Sequence, residues 1–114
     1  MAKFKHIYCK LYKANFYYIT CSAREYGRKI ESEFGVNPDV NINRDYAKFS
    51  VVSKSDTDIG IIWLNDKTRL DWLAHECAHA AFWLLRSRGL WCEHALEEAY
   101  TYLIEYLFRE ITRK

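Results

Sequence analysis

Residues 59–80 read IGIIWLNDKTRLDWLAHECAHA, an apolar run, a polar break and a helical stretch in immediate succession. Ile59 to Leu64 combines β-branched and aromatic residues in the manner of a strand. Asn65, Asp66 and Thr68 are successive capping candidates, and Thr68 with Asp71 three residues on forms a capping-box-like start for a helix. That helix runs to about Ser87, with Gly89 as its stop. A strand therefore feeds almost directly into a helix, and the helix carries His75, Glu76 and His79.

Upstream, Phe4 to Thr20 is rich in Tyr, Phe and Ile with a polar break at Lys13 to Asn15, which predicts one or two strands. Ser22 offers an N-cap for a helix over Ala23 to Phe34, where Tyr26, Ile30 and Phe34 recur at helical spacing and Gly35 ends the pattern. Asn37, Pro38, Asp39, Asn41 and Asn43 crowd into a loop. Tyr46 to Val52 and Ile59 to Leu64 then read as two strands joined by the polar turn Ser53 to Asp58, a hairpin. Downstream, Glu93 to about Thr112 is helical, with Leu96, Tyr100, Leu103, Leu107 and Ile111 forming one apolar stripe. This order predicts a single α+β domain over residues 1–114, a small antiparallel or mixed sheet packed on an N-terminal helix and two C-terminal helices.

The chain of 114 residues is 50% apolar and carries a net charge of +2, enough for one core and too short for two independent ones. So small a charge gives no electrostatic argument for a nucleic-acid partner. Lys3, Lys5, Lys10 and Lys13 alternate with apolar residues, as on the wet face of a strand. They also interrupt any signal-peptide core, and no apolar run approaches the roughly 20 residues of a membrane span, so the expected setting is cytosolic with no membrane partner. In that compartment Cys9, Cys21, Cys77 and Cys92 are expected as free thiols, by default small buried hydrophobes. The aromatic residues Trp72, Phe82, Trp83, Trp91, Tyr100, Tyr106 and Phe108 are read as core packing rather than as a platform for stacking bases.

The chemistry lies in His75-Glu76-Cys77-Ala78-His79. Histidines four apart on a helix project from one face a turn apart, so both imidazoles can reach one metal ion while the intervening Glu flanks it. A catalytic zinc needs a third protein ligand and an open corner for water. Glu98 ranks first, because the turn at Gly89 lets the last helix run back beside the first. Glu97 points about 100 degrees away around the helix, and Glu93 and His94 lie at its entrance. Cys77, Cys92 and His94 are the alternative ligands of a closed, structural zinc, although Cys77 faces roughly opposite the two histidines. Asp71, one turn before His75, either orients that imidazole or favours the helix N-terminus.

The motif His75-Glu76-x-x-His79 followed after eighteen residues by Glu98 resembles the gluzincin arrangement of zinc peptidases, with the spacing of their aminopeptidase branch. Glu98-Ala-Tyr-Thr101, with a small residue three positions after the Glu, is also similar to the third-ligand helix of small ImmA/IrrE-type and phage-encoded metallopeptidases. The resemblance covers roughly Ile59 to Leu107. It implies a minimal zincin-like fold and a zinc ion held by His75, His79 and Glu98, with Glu76 as general base on the zinc-bound water. It further implies hydrolysis of a peptide or protein substrate in the cytoplasm of a bacterial or phage-infected cell. Tyr46, Tyr100, Tyr102 and His94 are then the candidates to stabilise the oxyanion. Substrate would add as a strand against Gly60 to Trp63, with Gly60 permitting close backbone approach. The alternative is a binding module of the same fold that sequesters a partner, its zinc serving stability. The lack of a second domain to wall a cleft favours a narrow protein target.

Overall fold

The computed structural model of the chain describes residues 2–36 and 46–113. Element order is β1 (Lys5–Cys9), β2 (Ala14–Thr20), α1 (Ala23–Phe34), β3 (Ala47–Lys54), β4 (Thr57–Leu64), α2 (Leu70–Ser87) and α3 (Glu97–Thr112), with one 3-10 turn at His94–Leu96 leading into α3. The architecture is α+β, a four-stranded mixed sheet in the order β1-β2-β4-β3 with three helices. β1 pairs antiparallel with β2 and β3 antiparallel with β4, while β2 and β4 run parallel at the centre. The expected loop of Asn37, Pro38, Asp39, Asn41 and Asn43 lies outside the described residues. No described helix is long and apolar enough to cross a membrane.

Period-two alternation divides the core between the two sheet faces. Ile7, Cys9, Phe16, Ile62 and Leu64 point to the side covered by α2 and α3, where they meet Leu73, Cys77, Ala80, Ala81, Leu84, Leu103 and Leu107. Ile19, Ile59, Ile61 and Trp63 face α1 and pack on Tyr26 and Ile30. The Trp63 indole stacks on Tyr26 at 5.1 Å and donates its N–H to the Cys21 carbonyl. Because β4 is sandwiched between helices on both faces, its side chains from Ile59 to Leu64 are buried without alternation.

The helix ends follow local chemistry. Ser22 Oγ accepts the Glu25 N–H to start α1, and Gly35, at φ 68°, ends it. α2 closes in a Schellman motif, with Leu90 N–H on the Leu85 carbonyl, Gly89 N–H on the Arg86 carbonyl and Gly89 at φ 77°. Its start differs from expectation. Thr68 does not cap α2, because its backbone N–H and hydroxyl both donate to Asp66 Oδ1 in an Asx turn. Asp71 is instead gripped by the Arg69 side chain, Nε at 3.0 Å and Nη2 at 2.7 Å. The hairpin turn tightens to Ser55 and Asp56, both at positive φ as a type I′ turn requires. α3 begins at Glu97, four residues later than the periodicity suggests, since His94–Leu96 winds as 3-10 helix.

Lys5 also departs from the solvated-face reading. Its ammonium donates to the carbonyls of Glu110, Ile111 and Arg113, capping the C-terminus of α3 where the helix dipole favours a cation.

Candidate metal centre

The face of α2 that lies beside β3 carries Trp72, His75, Glu76, His79, Phe82, Trp83 and Arg86, an i, i+3, i+4, i+7 series that repeats for two further turns. His75 and His79 are exposed, and their Nε2 atoms converge to 3.1 Å with the rings nearly perpendicular. Two imidazole nitrogens bound to one tetrahedral zinc at about 2.0–2.1 Å stand about 3.3 Å apart, so the pair fits two corners of such a site. Between them on the helix, Glu76 is only 7% exposed. Burial pushes its carboxyl up, while the two imidazoles, the Phe49 backbone N–H and Lys48 offset this in part. A carboxylate made more basic by desolvation is better suited to the role of general base than an exposed one.

The backbone contact from Phe49 follows from sheet topology. Asn65 N–H donates to the Tyr46 carbonyl, and the register continues from Ala47 opposite Leu64. In an antiparallel ladder bonded and non-bonded pairs alternate, so the amides of Ala47, Phe49 and Val51 face away from β4 and out of the sheet. β3 is thus an open edge lying beside the motif. β4 is not, because both of its edges are paired. Strand addition at Gly60 to Trp63 is therefore excluded, and Gly60 serves packing: a Cβ there would stand 2.7 Å from the Phe16 ring and 2.9 Å from the Phe49 ring.

Glu98 sits in the first turn of α3, exposed, with its backbone carbonyl accepting from Thr101. α3 packs along α2, as the turn at Gly89 implies. Among the described residues no three His, Cys, Asp or Glu side chains stand close enough together to hold a metal ion. The convergence reaches two ligands. Glu97 is engaged by His94 at 2.9 Å, out in solvent. Cys77 points into the core, where burial and the Glu76 charge push its thiol up to about 12, and Cys92 is exposed. Asp71, taken by Arg69, is held down at about 2 and makes no hydrogen bond to His75.

Of the oxyanion candidates, Tyr100 is buried and donates to the Leu90 carbonyl, and Tyr102 lies in a different groove with Cys9 and Leu11. Tyr46 stacks on Trp72 at 5.4 Å, one turn before His75, whereas the Tyr100 ring meets Phe82 at 4.9 Å with its hydroxyl committed to Leu90. The aromatic set is only partly core. Tyr100 is buried, Trp72, Phe82, Trp83, Tyr106 and Phe108 pack half-buried against the core, and Trp91 is 61% exposed.

Next to His79 a cleft of about 580 Å³ opens between β3 and α2, lined by Ala47, Lys48, Phe49, Glu76, His79, Phe82, Trp83 and Arg86. Phe82 and Trp83, expected as core packing, pack half-buried against the core and also line this cleft together with Arg86, for which the sequence suggests no role. Their spacing of three, four and seven residues from His79 places them on the motif face and was the available signal. The chain matches no known family model, no curated protein and no solved structure.

Proposed function

We propose that the protein is a zinc-dependent hydrolase of peptide bonds on a minimal zincin-like scaffold, with His75, His79 and Glu98 as metal ligands and Glu76 as general base. The observation that carries this reading is the convergence of the His75 and His79 Nε2 atoms at 3.1 Å beside a buried, upward-shifted Glu76. Zinc bound there would supply a Lewis acid and a water whose pKa falls toward 7. The chain's own part is proton handling. Glu76 takes the proton from the attacking water and returns it to the leaving amine, and burial keeps its carboxylate basic enough to do so. Tyr46 is the candidate to face the developing oxyanion. An extended substrate would lie along the outward edge of β3, where the amides of Ala47 and Val51 point away from β4 and that of Phe49 is held by Glu76.

The test pairs metal content with turnover. Purified protein should carry one zinc per chain by elemental analysis, and His79→Ala should lose it. Glu76→Gln should retain zinc and fold but no longer cleave a mixture of synthetic peptides that the parent protein cleaves. Zinc-loaded Glu76→Gln with undiminished cleavage, or a parent protein that takes up no zinc, would sink the proposal. Sequestration of a partner without catalysis is the reading left if Glu76→Gln preserves biological function.

A further inference from the structure

The cleft beside His79 is lined at one end by a cation that lies over aromatic rings. The Arg86 guanidinium lies 5.3 Å from the centroid of Phe82 and 5.6 Å from that of Trp91, an indole left largely in solvent. Arg69, Arg109 and Arg113 each pair with a carboxylate at 4.0 Å or less, whereas Arg86 makes no ion pair among the described residues. A guanidinium near ring faces and without a carboxylate partner keeps its N–H fork for a ligand, and that fork matches a carboxylate in two-point geometry. The path from His79 to Arg86 is walled by Phe49, Phe82 and Trp83, and Lys48 lines the same cleft. Apolar walls with a cation at the far end suit a ligand with an apolar stem and an anionic tip.

Resting on the hydrolase reading for which end reacts, we propose that this cleft is a specificity subsite for a carboxylate-bearing substrate residue, with Arg86 as its anion-recognising group. The substrate class is therefore an acidic peptide. Seven helical residues separate His79 from Arg86, about 10 Å along the axis. An extended peptide advances about 3.3 Å per residue, so the carboxylate stands two or three residues from the bond at the histidines. An Asp or Glu side chain and a free peptide C-terminus present the same group, and the experiment separates them.

Three probes suffice, each a short peptide of Ala and Leu. One is capped at both ends with a central Glu, one is capped with a central Gln, and one has Gln with a free C-terminal carboxylate. Binding to the metal-free full chain is followed by tryptophan fluorescence. The Glu probe, the free-carboxylate probe or both should bind roughly tenfold more tightly than the neutral one, and which of them gains identifies the source of the anion. Arg86→Gln should erase the difference and Arg86→Lys retain part of it. Arg88→Gln should leave it intact, since Arg88 turns away to the Tyr12 carbonyl. Equal binding of all three probes, a preference that survives Arg86→Gln, or no binding at millimolar peptide would overturn the inference. Because neither metal nor turnover enters the readout, absence of zinc or of cleavage would defeat the hydrolase reading and leave this result standing.

Discussion

The Phe16 ring occupies the space where Gly60 has no side chain, 2.7 Å from the position a Cβ would take. Two rings, Phe16 and Phe49, close over this one residue of the central strand, and both also meet Trp83 of α2. Gly60→Ala should therefore destabilise the protein by about 1–3 kcal/mol through overpacking, read as a lowered midpoint in urea unfolding. An unchanged midpoint would mean that the rings relax freely. That result would remove the packing account of Gly60.

Glu98 is the third ligand of the proposed zinc site, and among the described residues it is not grouped with His75 and His79. Glu98→Gln should weaken zinc binding by more than the roughly 10–100-fold typical of groups that only orient a ligand, measured by competition with a chelator. Glu97→Gln should leave affinity near that of the parent, because Glu97 is turned toward His94. The opposite ranking would transfer the ligand role to Glu97.

Asp71 and Arg69 make a pH-dependent pair at the start of α2. The Arg69 fork holds the Asp71 carboxyl down at about 2, against an ordinary 3.8. A lowered folded-state pKa favours the fold above the ordinary range, and the contribution disappears as pH falls from about 4 toward 2. Arg69→Gln should shift the Asp71 midpoint up toward 3.8 by carbon-detected NMR. Both side chains are exposed, so the effect on stability should be small. A midpoint unmoved by the substitution would show that the fork is not its cause.

The four cysteines should differ sharply in reactivity. Cys92 is exposed, Cys9 and Cys77 are buried, and burial pushes Cys77 up to about 12 and the half-buried Cys21 up to about 11. The thiolate is the nucleophile, so at pH 8 a disulfide reagent should titrate one thiol in the folded protein and four after unfolding. Cys92→Ser should remove the fast reaction. More than one fast thiol in the native state would contradict the burial of Cys9 and Cys77 or the raised pKa of the half-buried Cys21.

Local chemistry is what the sequence displays most openly. Ser22 and Gly35 bound α1 as their capping roles predict, and the four-residue spacing of His75 and His79 places both rings on one helix face. What could not be read locally was competition between neighbours: Thr68 has an acceptor in Asp66 two residues back, and Asp71 has a stronger partner in Arg69. Strand order is a non-local property, and reading Ile59 to Leu64 as an accessible edge neglected its unbroken apolar run, the mark of a strand covered on both faces. Edge status fell to β3, whose exposed Val51 and Ser53 are ordinary for a half-solvated border. Arg86 was legible in principle, at helical spacing from His79, but its significance depends on Trp91, which reaches it from beyond the end of α2.

Lys5 grips the last carbonyls of α3 across 105 to 108 positions of sequence. Contacts of such long range delay completion of a fold. On the ribosome, the first strand must wait for Glu110 to Arg113 to emerge before the Lys5 ammonium finds its acceptors. The helix bearing His75 and His79 leaves the exit tunnel ahead of α3, the element that shields its apolar flank, so the newborn chain exposes that flank until Glu97–Thr112 has followed.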